Sequence, residues 1–353
     1  MRVAFVSSET VHHRDTETNR RLQTILEVLR DHGHDVHLFC ARFWEDDSPV
    51  LERDDVTYHA VTDDPAARRS FCLRVPFDMA AAGPDIVHAS ARQPTVLLAA
   101  GWGVRFARAP LVAEWYGDED IGDDRWTRLA TGRGDRIVTP SELVATRVRE
   151  RGADGDLVTT IPNPIDFDRI RSVTPGDRVD VVYSRRLDEG ANLESLLLAL
   201  AELRDRDWRT TVVGDGPERA AYERLASDLR IEDRITFVGE RSLEERIAAY
   251  RGAHVFAQTA ERCVFPTEMC WGLAAGCVGI VEYHADSSAH ELVEGRERGF
   301  RTTSEEELAD AILEAGDLEY RDVDDRFADY DRSAVAERYL EQYRTLQEEY
   351  GLL

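Results

Sequence analysis

RVAFVSSETVHHRDTETNRRLQTILEVLRDHGHDVHLFC, residues 2–40, decides the fold class. Residues 3–6 form a short apolar run of strand character. Residues 19–32 then carry Leu22, Ile25, Leu26 and Leu29 at the i, i+3, i+4, i+7 spacing of a helix with one buried face. A second β-rich run, residues 35–40, follows at once, so the segment reads strand, helix, strand. Further strands are expected at residues 56–61, 86–89, 111–115, 136–139 and 158–161. Strands alternating with helices predict an α/β fold with a parallel, doubly wound sheet covered on both faces.

At residues 171–178, RSVTPGDR, Pro175 and Gly176 interrupt both periodicities just before a fresh apolar strand opens at Val179. A second α/β series follows, with strands at residues 181–184, 210–214, 235–238, 254–258 and 278–282 and helices between them. Residues 333–350 read as a helix with Val335, Tyr339, Leu340, Tyr343 and Leu346 on one face. The expected organisation is therefore one domain over residues 1–172, a second over 173–330, and a terminal helix, 331–353, packing back on the first. Two doubly wound sheets facing across a cleft would bind ligands at the carboxyl ends of their strands.

The 353 residues suit two domains at about 150 residues each. Against 44 basic residues stand 69 acidic ones, a net charge of -25 that repels phosphate backbones and argues against a nucleic-acid partner. The sequence contains no lysine, so every one of these cations is arginine. Acid excess with lysine loss points to a proteome adapted to concentrated salt, where repulsion is screened over a few Å. Cys40, Cys72, Cys263, Cys270 and Cys277 form no CxxC pair and lie at no zinc-like spacing, so neither disulfide nor metal site is expected. No signal-type segment opens the chain and no apolar run reaches eighteen residues, which predicts a cytoplasmic protein. RRSFCLRVPF, residues 68–77, interleaves Arg68, Arg69 and Arg74 with Phe71, Leu73, Val75 and Phe77. It is either an ordinary packing element or a peripheral contact with the inner face of the cell membrane.

Chemistry concentrates in the second half. TTVVGDGPERAAYERL, residues 210–225, is a strand, a turn of Gly214, Asp215 and Gly216, and a helix; such a turn admits an anion to a helix N-terminus, or serves tight packing. VVYSRRL places Arg185 and Arg186 at a strand's carboxyl end, where a guanidinium fork suits a diphosphate or pairs with Asp188 and Glu189. FPTEMCWGLAAGCVGIV, residues 265–281, opens a helix at Phe265 and Pro266 with Thr267 and Glu268 in its first turn.

Together with PDIVHAS (84–90), APLVAEWYGD (109–118), DRIVTPSE (135–142), IPNPIDFD (161–168) and ITFVGE (235–240), these segments resemble, in order and over nearly the full length, a retaining glycosyltransferase of family 4 with the GT-B fold. The resemblance implies two Rossmann-like domains, the second binding a nucleoside-diphosphate sugar. Arg186 would be the catalytic cation on the diphosphate. Arg185, Gly214, Asp215, Gly216, Val238, Gly239, Phe265, Pro266, Thr267 and Glu268 would line the donor site, and His13, Ser90, Tyr116 and Asp118 the acceptor side. It implies no cofactor and no metal, and a hydroxyl acceptor presented by the first domain; the mixed face of residues 68–77 makes a lipid-linked acceptor the expectation, with a cell-surface glycan precursor as its class. Ala191 stands where the family has a lysine, and Cys263 and Trp271 where it has a pair of glutamates. A catalytically silent nucleotide-sugar-binding homologue, or an epimerase on the same fold, is the alternative.

The charge makes the first prediction. Lowering KCl from ~3 M to ~0.1 M extends the screening length to ~10 Å and should lower the melting temperature steeply, and an unchanged melting temperature would contradict the salt-adapted reading.

Overall fold

Thr16 caps a helix by accepting the Asn19 N–H at 3.2 Å, and this sets the first strand–helix–strand unit: β1 (Arg2–Val6), α1 (Glu17–Asp31) and β2 (Asp35–Ala41). The computed structural model describes residues 1–117 and 125–351. The first unit continues with β3 (Val50–Arg53), β4 (Val56–Thr62), α2 (Arg68–Ala81), β5 (Ile86–Ser90), α3 (Pro94–Ala107), β6 (Leu111–Glu114), α4 (Arg125–Thr131), β7 (Arg136–Thr139), α5 (Glu142–Glu150) and β8 (Val158–Thr160). Its sheet runs β3-β4-β2-β1-β5-β6-β7-β8, parallel except for β3. That edge strand, VLER, is mostly exposed, so no alternating apolar pattern announces it.

The second unit comprises α6 (Phe167–Ser172), β9 (Val179–Ser184), α7 (Leu193–Glu202), β10 (Thr210–Val213), α8 (Arg219–Asp228), β11 (Ile235–Gly239), α9 (Leu243–Gly252), β12 (Ala253–Gln258), β13 (Arg262–Cys263), α10 (Thr267–Ala274), β14 (Val278–Glu282), β15 (Asp286–Ser287), β16 (Gly299–Thr302) and α11 (Glu305–Gly316). Its main sheet is wholly parallel, in the order β11-β10-β9-β12-β14-β16. Val181 and Tyr183 enter the core cluster on one face while Val182 enters that on the other, as the two-residue period of a strand buried on both sides requires.

The chain divides into Met1–Pro164 with Arg332–Leu353, and Ile165–Asp331. The boundary thus falls after Pro164 rather than at residue 172. Ile165, Phe167 and Ile170 are buried in the second unit's core, so Pro175 and Gly176 interrupt periodicity inside that unit. The last helix, α12 (Arg332–Glu349), buries Val335, Tyr339, Leu340, Tyr343 and Leu346 with Val3, Phe5 and Ile25 of the first unit.

Beneath that helix lies a buried ion cluster. Arg21 of α1, 5% exposed, donates from Nε to Glu114 Oε1 at 2.8 Å and from Nη2 to the Ile161 carbonyl and the Tyr339 hydroxyl, both at 2.8 Å, and it also bonds Asn163. His88 Nε2 lies 2.5 Å from Glu114 Oε2, and its Nδ1 lies 2.6 Å from the Tyr343 hydroxyl. The Tyr339 hydroxyl donates to Glu114 Oε1 at 2.9 Å. Burial alone would raise the Glu114 carboxyl, but Arg21 and His88 outweigh it and hold the pKa at about 2.

Because the folded pKa lies below the ordinary 4.5, this carboxylate adds stability above that value and loses it as pH falls toward about 2. Glu114→Gln would leave the Arg21 charge buried without its counter-ion, which costs about 3–5 kcal/mol. Amide exchange of β5 and β6 should quicken by roughly a hundredfold or more in that variant at neutral pH, and wild-type protection should converge on it in acid. Equal protection at neutral pH would show that the cluster carries no stability.

Candidate functional site

In the second sheet the chain leaves β9 for β10 and β11 on one side and returns for β12, β14 and β16 on the other. The carboxyl ends of β9 and β12 therefore form a topological switch point, the usual ligand crevice of such sheets. The loops after these strands are pinned together. Arg185 Nη2 donates to the Arg262 carbonyl at 3.1 Å, Glu261 N to the Gly190 carbonyl at 3.2 Å, and Asn192 Nδ2 to the Thr259 carbonyl at 3.1 Å.

Arg186 stands between them with a side chain 69% exposed, its Nε 3.9 Å from Asp188. A long, solvated pair of this kind is worth little, so the guanidinium can turn to a stronger anion at small cost.

The GDG turn fixes that arginine's backbone. Gly214 has φ +124, and a Cβ there would sit 2.0 Å from the Arg185 carbonyl oxygen; one at Gly216 would sit 2.1 Å from that of Leu187. Leu187 N donates to the Asp215 carbonyl and Glu218 N to the Leu187 carbonyl, both at 3.0 Å. The glycines are thus accounted for by close approach of the chain to itself. Asp215 accepts the Gly216 N–H at 2.7 Å and Arg219 Nη1 at 3.2 Å.

Gly214 N donates to the Gly239 carbonyl at 2.9 Å, joining the end of β11, with half-buried Val238, to the same edge. Phe265 and Pro266 are buried ahead of α10, and Thr267 N donates to the Phe265 carbonyl at 2.9 Å.

Glu268 does not stand open in the first turn. It is paired with Arg246 Nη1 and accepts the Tyr250 hydroxyl at 2.5 Å, and that hydroxyl lies 2.6 Å from Ser184 Oγ at the end of β9. Burial, with the Glu268 carboxylate it donates to, pushes the Tyr250 phenol well above its ordinary value, so it remains a donor. Arg246 and Tyr250 are i, i+4 neighbours on α9, a spacing that could have flagged them. A second unforeseen group is Glu282 at the end of β14, 8% exposed and 3.1 Å from Asn192 Nδ2, with His284 at 3.7 Å. Ala191, Cys263 and Trp271 are all buried in the second unit, so side chains at these places belong to its packing.

The first sheet has its switch point between β1 and β5. Ser7, Ser8, Glu9, Ser90, Arg92, Gln93 and Val96 line a narrow crevice there, with Glu9 and Arg92 paired at 3.4 Å. Ser90 Oγ accepts the Arg92 N–H at 3.3 Å. His13 is not among the lining residues: its Nδ1 lies 3.1 Å from Thr10 N and 3.0 Å from Thr10 Oγ1, its ring sits edge-on to Phe43, and burial lowers its pKa. Tyr116 is 3% exposed, and Asp118 lies outside the described residues. Among the described residues, no three His, Cys, Asp or Glu side chains are grouped to hold a metal.

Comparison with known proteins gives this architecture a family. Residues 18–169 match the family Glycosyltransferase Family 4, and residues 164–333 match Glycosyl transferases group 1. A GDP-mannose-dependent alpha-(1-6)-phosphatidylinositol monomannoside mannosyltransferase of Mycolicibacterium smegmatis is 31% identical over 146 residues, 41% of this chain and 37% of that protein's length. The crystal structure of a glycosyltransferase from Rickettsia africae superposes with a TM-score of 0.79 at 16% identity, covering 98% of each chain. Anabaena HepE in complex with UDP-glucose superposes at 0.65 and 17% identity, covering 99% of this chain and 98% of that one. At these identities the structural likeness establishes the fold, which is GT-B. One matching domain follows the other along residues 18–333, and the chain belongs to the glycosyltransferases of the family 4 and group 1 type.

Proposed function

We propose that the chain transfers a hexosyl group from a nucleoside-diphosphate sugar to a hydroxyl acceptor, with retention of anomeric configuration. The single observation that carries the reading is Arg186, a solvent-facing arginine on a backbone clamped by the GDG turn, at the switch point of the second sheet. Departure of the nucleoside diphosphate is the demanding event. As the glycosidic C–O bond breaks, negative charge grows on the leaving phosphate, and the Arg186 fork with the N–H groups of the first turn of α10 would stabilise it. The acceptor hydroxyl attacks from the same face and gives its proton to the leaving phosphate oxygen, so no protein base, metal or cofactor enters.

The mycobacterial relative's name includes a phosphatidylinositol mannoside, which supports a lipid-linked or cell-surface glycan precursor as acceptor. GDP-mannose and UDP-glucose, named with the relative and with the Anabaena neighbour, are the donors to try first. The setting we assign is the cytoplasmic side of the membrane in concentrated salt, with no nucleic-acid partner. A second reading, a nucleotide-sugar-binding protein without transfer, is favoured by the uncharged Ala191, Cys263 and Trp271 at the places where the resemblance puts a lysine and two glutamates, and an epimerase on the same fold stands beside it.

A donor panel at molar KCl separates these readings: sugar appears on an acceptor, stays on the nucleotide unchanged, or changes configuration there. With the active donor, Arg186→Ala should cost roughly a hundredfold or more in transfer rate, as loss of one preorganised donor does. Arg186→Lys should recover only part, since an ammonium lacks the planar fork. Arg185→Ala should cost less than Arg186→Ala, because that side chain is engaged with the Arg262 carbonyl. Full activity in Arg186→Ala would place the diphosphate elsewhere.

A further inference from the structure

Of the ten large apolar side chains exposed among the described residues, six lie on three consecutive helices of the first unit: Leu73 and Phe77 on α2, Trp102 and Phe106 on α3, Trp126 and Leu129 on α4. They are widely open, Leu73 at 74%, Trp102 at 66%, Phe77 at 63% and Phe106 at 59%. Each helix also has a buried apolar side: Phe71, Val75 and Met79 on α2, Val96 and Leu97 on α3, Ala130 on α4. These outer side chains are therefore surplus to the core. α2 packs along α3, where the Phe77 and Phe106 rings stack at 5.7 Å, and α3 packs along α4, so the exposed groups form one layer. A contiguous apolar face of this extent on a soluble unit marks a surface meant to be covered.

Its charge says by what. α2, α3 and α4 carry Arg68, Arg69, Arg74, Arg105, Arg125 and Arg128, all exposed, against one acid, Asp78. In the whole chain acids outnumber bases 69 to 44, so these three helices reverse the sign of the chain as a whole. A second copy seated face to face would bring six arginines against six and be repelled. Anionic lipid head groups would neutralise them, while Trp and Phe rings sit at the level between head group and acyl chain.

We propose that the outer face of α2, α3 and α4 docks on an anionic lipid bilayer, with Phe77, Trp102 and Phe106 entering the interface and the arginines meeting lipid phosphates. This deepens the reading of a membrane-borne acceptor, but it rests on the surface and not on the sugar chemistry. Contact of this kind persists in concentrated salt, because the apolar part is not screened, direct guanidinium–phosphate contacts fall within the ~3 Å screening length at ~1 M, and the chain's long-range repulsion from the bilayer does not fall within it.

Flotation at ~1 M KCl with vesicles of phosphatidylcholine and phosphatidylglycerol in equal parts, against phosphatidylcholine alone, tests it. Wild type should float with the mixed vesicles and far less with the neutral ones. Phe77→Ser/Trp102→Ser/Phe106→Ser and Arg68→Gln/Arg69→Gln/Arg105→Gln should each lower the floated fraction about tenfold or more, with unchanged circular dichroism. No flotation of wild type, or equal flotation of wild type and both variants, overturns the proposal. So does a wild-type dimer in light scattering that the apolar triple variant turns into a monomer without any flotation, which would make the face a contact between copies. Donor hydrolysis measured in the same preparations separates the two readings. Its absence with flotation intact strikes at sugar transfer alone, and its presence with flotation absent strikes at docking alone.

Discussion

Arg21 is the residue on which the first unit turns. A guanidinium at 5% exposure survives only if its charge and donors are met, and meeting them requires Glu114 from β6, the Ile161 carbonyl after β8, Asn163 and the Tyr339 hydroxyl from α12. Glu114 in turn holds His88 of β5, which holds Tyr343. One helix, three strand ends and the chain's last helix are thus fixed to one another by a single set of charge-assisted bonds. This is why α12, the farthest segment in sequence, returns to the unit the chain left at Pro164. Apolar contact would allow α12 to slide, whereas two hydroxyls aimed at a buried carboxylate and imidazole set its register.

The second unit solves its own positioning problem with backbone. The turn after β10 approaches the segment after β9 so closely that no Cβ fits at Gly214 or Gly216, and Leu187 exchanges hydrogen bonds with Asp215 and Glu218. A glycine turn often signals a phosphate; here the first thing it touches is the protein. The consequence for function is indirect and useful: the guanidinium of Arg186 is exposed, but its Cα is held at the switch point. Glu268, which could have faced a ligand directly, is instead the centre of a chain from Arg246 through Tyr250 to Ser184, and so braces the head of α10 against the end of β9.

Much of this was legible in the sequence. Strand and helix periodicity gives both doubly wound sheets, since burial on both faces leaves uninterrupted apolar runs such as residues 181–183. Arg185 and Arg186 stand at the strand end where the pattern puts them. What was illegible depends on long-range partners. Nothing near Arg21 shows that its counter-charge lies at Glu114, and nothing near Pro175 shows that α6 already belongs to the second core. Of the acceptor-side residues, Ser90 lies in the crevice between β1 and β5, whereas His13 is bonded to Thr10 and Tyr116 is buried. The apolar residues Phe71, Leu73, Val75 and Phe77, interleaved with arginines, marked a mixed packing or membrane element but not a helix with two apolar sides, because sequence alone does not say which side meets the sheet.

The central claim is that the second unit holds the donor's diphosphate at the carboxyl ends of β9 and β12. A crystal structure of the chain with UDP or GDP at molar salt tests it most directly. Diphosphate oxygens should lie within hydrogen-bond distance of the Arg186 guanidinium and of the backbone N–H groups in the first turn of α10. Diphosphate bound in the first unit, or in the second unit away from Arg186, would contradict it.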